Sequence, residues 1–180
     1  QSDAKIPNDK LIQMDNPFST SNNTDRLVLV PAINPDVTII HVQKADKKGN
    51  CRIEGLSFAD VEQAKAARHL IVTCEQLYTG DELKRNSDQN QIPFIHVDAV
   101  VHMPHGAYPT ACYNSYDYDP RQLKMYARCA KDEEAFNNYL EQYVLGTRDH
   151  GALMELVGRE QIEKITADPE TGYASNLDRT

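Results

Sequence analysis

The sequence predicts an α/β fold: an open, mainly parallel sheet built on a βαβ crossover, with a C-terminal helical layer, the whole forming an incomplete domain. Two observations carry this. Between residues 35 and 75 an apolar strand, a helix and a second apolar strand follow one another, an order that requires parallel pairing and a sheet covered on its faces. After residue 119 the chain changes to amphipathic segments, opened by Asp119, Asp132 or Asp149 and two of them closed by Gly146 and Gly158. A length of 180 residues fits one such core.

Taken in order, residues 1–23 are polar and interrupted by Pro7 and Pro17, which reads as an extended surface segment. Residues 26–32 (RLVLVPA) and 36–42 (DVTIIHV) are short apolar runs, the second rich in β-branched residues, and both predict strands. A turn-rich loop over 43–50 and a short return through Cys51 and Ile53 follow. Ser57 stands three residues before Asp60, a weak capping box opening a helix that runs to Arg68 with Val61, Ala64 and Ala67 along one side. Residues 70–75 (LIVTCE) are the next strand.

Residues 79–90 predict a short polar helix or loop, and 92–103 (IPFIHVDAVVHM) one long strand or two short ones, broken by Pro104 and Pro109. Asp119-Pro120 is an N-cap with Pro in the first turn, and Leu123, Tyr126, Ala127 and Ala130 share a face. Helices are expected again over 133–145, 149–157 and 160–165. The divisions are therefore an extended segment (1–25), the sheet region (26–118), helices of the same domain (119–167) and a tail (168–180).

Composition excludes several classes. With a net charge of −8 and no basic run longer than Lys47-Lys48, a nucleic-acid partner is not expected. No apolar run approaches the roughly eighteen residues of a membrane helix, so no membrane role is expected either. Cys51, Cys74, Cys112 and Cys129 are widely and unevenly spaced, without CxxC, which reads as reduced thiols in a cytoplasmic protein. The first residues lack both an initiator Met and a signal pattern, and the chain is expected to be a piece of something longer.

Ligands of parallel sheets bind beyond the carboxyl ends of the strands. Two such ends are visible, the 43–50 loop and Glu75-Gln76. Gly49 would let backbone amides approach an anion and Asn50 could bond a ligand; a plain tight turn is the other reading of the same residues. On a strand from Ile92, His96, Asp98 and His102 would share a face with His105 just beyond, but that spacing matches no ligand signature and no metal is expected. Glu75 is either a nucleophile or base at a strand mouth or a salt-bridged structural carboxylate. Tyr113, Tyr116 and Tyr118, interleaved with Asp117 and Asp119, either line a pocket or pack behind an N-cap.

Several of these stretches, in this order, resemble the α-type subunits of the family I CoA-transferases, the glutaconate CoA-transferase type in particular. They are DNPF (15–18), PDVTIIHVQKAD..GN (35–50), LIVTCE (70–75), VDAVV..P.GA.P (97–109) and YDYD (116–119). The resemblance implies a CoA-transferase-like fold and part of the α-type subunit of an acyl-CoA:carboxylate CoA-transferase. CoA would be exchanged between an acyl-CoA and a small carboxylate through a glutamyl-CoA thioester. The nucleophilic glutamate is expected on a β-type partner subunit, so no catalytic residue is expected in this chain. Acyl-CoA and CoA would be substrates, with no covalently bound cofactor.

The Gly-rich N-terminal part that α-type subunits carry is not found in these 180 residues and would be a further partner. The positions implied to face substrate or CoA are His41, Ala45, Asp46, Gly49 and Asn50 on one wall and His105, Gly106 and Ala107 on another. Tyr108 stands where relatives often have His. The alternatives are a CoA-thioester hydrolase or ring-opening hydrolase on the same scaffold, and a non-catalytic half presenting Phe136, Tyr139, Tyr143 and Met154 to its partner.

Overall fold

The computed structural model describes residues 10–20, 25–175 and 177, so the expectations for 1–9, 21–24, 176 and 178–180 lie outside it. The chain divides into two compact units, 1–34 and 35–180. In the first, strand β1 (Ile12–Asp15) pairs antiparallel with β2 (Arg26–Leu29), from Ile12 opposite Leu29 to Asp15 opposite Arg26. This changes two expectations: residues 12–15 are strand, not loop, and 26–29 pair in a sheet of their own. Both strands are largely exposed, although Ile12 and Met14 alternate with Gln13 and Asp15.

The second unit holds a four-stranded sheet in the order β4-β3-β5-β6. Strands β3 (Val37–Asp46) and β5 (His69–Tyr78) are parallel, with Val37 opposite His69 and Asp46 opposite Tyr78. Helix α1 (Asp60–Ala66) lies between them in sequence, which bears out the βαβ crossover. Strand β6 (Ala99–His102) adds parallel to β5, and the short β4 (Cys51–Arg52) folds back antiparallel on β3. Period two places Ile40, Val42, Leu70, Val72 and Cys74 on one face, where they and Ala64 of α1 form the core. Each fully buried aliphatic there contributes about 1.5–3 kcal/mol. On the opposite face Val37 and Ile39 stay exposed.

Several boundaries differ from the sequence reading. β3 continues to Asp46, through half of the expected loop, because it keeps a partner on each side. Ser57 does not cap α1, whose N-cap is Ala59 without a side-chain bond. Of 92–103, Phe94–His96 is a 3-10 turn and only Ala99–His102 is strand. Residues 79–90 carry two 3-10 turns, Glu82–Lys84 and Ser87–Gln89.

The helical layer follows the capping signals closely. Asp119 caps α2 (Pro120–Cys129), Asp132 caps α3 (Glu133–Leu140) and Asp149 caps α4 (His150–Val157), each accepting backbone N–H bonds. A π-helical turn, Glu141–Leu145, ends at Gly146, and α5 (Arg159–Ile165) starts after Gly158. On α2 the inward positions are Gln122, Leu123, Met125 and Cys129, whereas Ala127 and Ala130 are exposed. Tyr126 meets the rings of Phe136 and Tyr139 at 6.1 and 5.5 Å, so these aromatics pack between α2 and α3. After α5 the chain returns to the segment around Tyr116, the Asp117 amide donating to the Ile165 carbonyl at 2.7 Å. That return buries Cys112, Tyr116 and Ile165 in a second core cluster.

Candidate functional site

Glu75 links the sheet to Tyr116 of the second core cluster. It sits in the second half of β5, and only 8% of its side chain is exposed. Three donors reach its carboxylate: His41 Nε2 at 2.6 Å and the Tyr116 hydroxyl at 2.8 Å on Oε1, and the His105 amide at 2.9 Å on Oε2. Burial alone would raise this carboxyl, but the bonds from His41, the His105 amide and Tyr116 outweigh it and hold Glu75 below the ordinary carboxylate range. Because an ionised carboxylate only accepts, Nε2 of His41 carries a proton. The other ring nitrogen lies 2.8 Å from the Thr73 hydroxyl, directly across the β3–β5 ladder.

The loop after β6 is shaped around this carboxylate. His105 has φ +61°, a left-handed conformation that a residue with a Cβ adopts at some cost and that turns its amide onto Glu75. Gly106 lies against the His41 ring, where a Cβ would come within 2.7 Å of Cε1 and 2.8 Å of Nδ1. The Ala107 amide donates to the Tyr116 hydroxyl at 2.9 Å, so that oxygen accepts one bond and gives another. The charge of Glu75 and burial both push the Tyr116 phenol upward, burial most, and it stays a proton donor. The His105 ring rests on Tyr116, with centroids 5.0 Å apart, and burial holds its pKa below the usual value.

Beside the network a cavity of about 770 Å³ opens, with His41, Ala107, Cys112 and Tyr116 on its inner side and Leu56 and Phe58 at its lip. Gln43 forms part of its wall and is itself fixed: its amide nitrogen donates to the carbonyls of Glu54 and Tyr113, and its oxygen accepts from the Glu54 amide. An anchored carboxylate, an imidazole and a phenol next to a partly apolar cleft can orient a substrate carbonyl and move a proton.

The positions expected to face substrate separate into two groups. His41 and Ala107 line the cavity, and His105 and Gly106 stand directly behind it, on Glu75 and on His41. Ala45, Asp46, Gly49 and Asn50 instead build the turn joining β3 to β4. Asp46, only 3% exposed, accepts from the Lys48 amide, the Asn50 amide and the Asn50 side chain, and Gly49 takes φ +96°. Asp46, Gly49 and Asn50 thus form a hydrogen-bonded turn, and none of the four lines the cavity.

The histidines of 96–105 do not gather. His96 lies in the 3-10 turn, Asp98 pairs with His69 at 3.6 Å and accepts the Leu70 amide, and His102 donates to the Glu75 carbonyl. Among the described residues the metal-capable group is His41, Glu75 and Cys112, with donor atoms within 4.8 Å of one another. To hold an ion it would have to give up the His41–Glu75 bond and ionise a thiol that burial, with the Glu75 charge, pushes up to about 12. Thr73 and Gln43 lie inside the LIVTCE and PDVTIIHVQKAD stretches, which gave neither a role of its own, and Cys112 carried no signal beyond its residue type. The signals for Glu75 and Tyr116 were the LIVTCE and YDYD stretches, which alone left structural readings open.

The family model for coenzyme A transferase matches residues 10–103. A glutaconate CoA-transferase subunit of Acidaminococcus fermentans is 39% identical over 94% of this chain and 52% of its own length. The crystal structure of glutaconate coenzyme A-transferase from that organism superposes with a TM-score of 0.86 at 38% identity, over 96% of this chain and 54% of that one. A 3-oxoadipate CoA-transferase subunit of Pseudomonas knackmussii is 36% identical over 69% of this chain and 44% of its own. The cholesterol ring-cleaving hydrolase IpdA subunit of Rhodococcus jostii is 28% identical over 78% and 49%. The chain spans about half the length of the curated relatives it matches.

Proposed function

Because the chain belongs to the coenzyme A transferase family, we propose that it is part of the α-type subunit of a cytoplasmic acyl-CoA:carboxylate CoA-transferase. The observation that carries the proposal is the 39% identity to a glutaconate CoA-transferase subunit over 94% of this chain. A β-type partner supplies the nucleophilic glutamate, whose carboxylate attacks the thioester carbonyl to give a mixed anhydride and CoA thiolate. The thiolate then attacks the glutamyl carbonyl, forming the enzyme thioester and releasing the first carboxylate. An acceptor carboxylate reverses these steps and takes up CoA.

In this reading the chain holds and shapes one side of the cleft. His41, Ala107 and Tyr116 form the wall, backed by Glu75, His105 and Gly106, and Ala45, Asp46, Gly49 and Asn50 keep the β3–β4 turn in place. The exposed sheet face carrying Val37 and Ile39 supports a further polypeptide segment, since both faces of a parallel sheet are normally covered. The test is product analysis on the full complex, with and without an acceptor acid. CoA transferred to the acceptor, together with a CoA adduct on a partner glutamate, supports the proposal; free CoA in both cases sinks it.

The second reading is a CoA-thioester or ring-opening hydrolase, favoured by the 28% identity to the ring-cleaving hydrolase subunit. Diverting an acyl-enzyme to water needs only altered access. Free CoA at a rate independent of acceptor would select it.

A further inference from the structure

His41, Glu75 and Cys112 bring an imidazole nitrogen, a carboxylate oxygen and a thiol sulfur within 4.8 Å of one another. His41 and Cys112 also line the cavity, so a position beside them stays open to a further ligand. Bonds of about 2.0–2.3 Å to a tetrahedral zinc ion set donor atoms about 3.3–3.8 Å apart. The His41–Glu75 contact of 2.6 Å would open, and the sulfur would close in, by roughly 1 Å each. Shifts of that size need side-chain adjustment only.

Two protons stand in the way of an ion, and the surroundings deal with both. Coordination through Nε2 of His41 puts the ring proton on Nδ1, which already faces Thr73 Oγ1 at 2.8 Å. That hydroxyl turns its own proton toward the Ile40 carbonyl at 3.5 Å. A ligating histidine is normally held by such a partner on its other nitrogen. Glu75 keeps the Tyr116 hydroxyl on Oε1 and the His105 amide on Oε2, so the carboxylate stays aimed when the His41 bond opens. The second proton is that of Cys112, whose thiol burial and then the Glu75 charge push up. A divalent cation removes the second of these causes, and a thiol that coordinates it is deprotonated outright. Such an ion with one carboxylate and one thiolate is neutral as a unit, so no net charge is left buried.

We propose that His41 Nε2, Glu75 and Cys112 Sγ bind one thiophilic divalent cation of the zinc class, with its fourth position facing the cavity. The mixed nitrogen, oxygen and sulfur set favours that class over magnesium and calcium, which take oxygen donors. All three ligands and the groups behind them belong to this chain, so the site is independent of the CoA-thioester reading. His41 and Glu75 lie in stretches that carry the family resemblance, whereas Cys112 falls in the gap between residues 109 and 116.

The experiment titrates the full complex, first stripped of metal by a chelator, with Co²⁺ and follows absorption. The expected result is one equivalent per copy of this chain that brings a sulfur-to-cobalt charge-transfer band and is displaced by zinc but not by excess magnesium. Cys112→Ser is expected to remove both the equivalent and the band, and Cys129→Ser to keep them. Thr73→Val is expected to weaken binding about 10–100-fold, the usual loss when the partner behind a ligating histidine is removed. An absent band, or an equivalent that survives Cys112→Ser, means an adventitious ion only and overturns the proposal. If the Cys112→Ser complex does not assemble, zinc-soaked crystals of the unsubstituted complex, measured on either side of the zinc absorption edge, decide. An anomalous peak between His41, Glu75 and Cys112 supports the site, and no peak there overturns it.

Discussion

Nε2 of His41 lies 2.6 Å from Oε1 of Glu75, joining adjacent parallel strands between side chains that are 13% and 8% exposed. A pair this buried, with the Tyr116 hydroxyl and the His105 amide completing the carboxylate's partners, ties the sheet to the loop after β6 and to the segment before α2. Replacing Glu75 by Gln removes the charge but keeps the shape. Breaking a buried pair of this kind costs about 3 kcal/mol, and urea unfolding of Glu75→Gln against the unsubstituted protein measures it. A midpoint unchanged from the parent would show that the pair contributes nothing to the fold.

Glu75 also sets a pH dependence. Its carboxyl is held below the ordinary value in the folded chain, so the stability it contributes is present above the unfolded-state carboxyl range and is lost as pH falls through the depressed value. Denaturant midpoints taken between pH 7 and pH 3 are expected to fall less steeply for Glu75→Gln than for the parent. Parallel curves would exclude Glu75 as a source of acid sensitivity.

Gly106→Ala is expected to destabilise by about 1–3 kcal/mol, because the new methyl meets the His41 ring at 2.7–2.8 Å and the Met103 carbonyl at 2.9 Å. In the His41→Ala background the ring contacts vanish. A double-mutant cycle should therefore show that the two changes cost less together than the sum of each alone. Additivity would mean that the clash lies with the Met103 carbonyl.

For Asp46→Ala the expected loss is about 1–3 kcal/mol, since two backbone amides and the Asn50 side chain lose their acceptor. Melting temperature and CoA transfer, measured together on the full complex, distinguish a turn that supports the wall from residues that touch substrate. A fall in activity without loss of stability would place Asp46 in contact with ligand.

Thiol labelling gives a direct test of the packing. Cys51 and Cys112 are buried and pushed up to about 12, and Cys74 to about 11, burial being the largest cause in each. Only Cys129 is partly exposed. A disulfide exchange reagent at neutral pH should modify Cys129 first, leaving the other three until the chain unfolds; rapid modification of Cys112 in the folded protein would contradict its burial.

Much of this protein is local and was legible as such. Apolar runs flanking an amphipathic helix determine the βαβ crossover, because parallel pairing is the arrangement that lets both strands share one covered face. Asp119, Asp132 and Asp149 determine where helices start, because a carboxylate next to free backbone amides is a local event. The order of short motifs carried the family. What the tertiary structure alone decided is the identity of the neighbours: Glu75 meets His41, Tyr116 and the His105 amide across 34, 41 and 30 residues. Those separations follow no period. They arise where the loop after β6 and the return of the chain from α5 close over the sheet, so a strand-mouth glutamate open to several readings became a buried, triply bonded anchor, and a Gly-Asn loop became a turn with its polar groups satisfied from within.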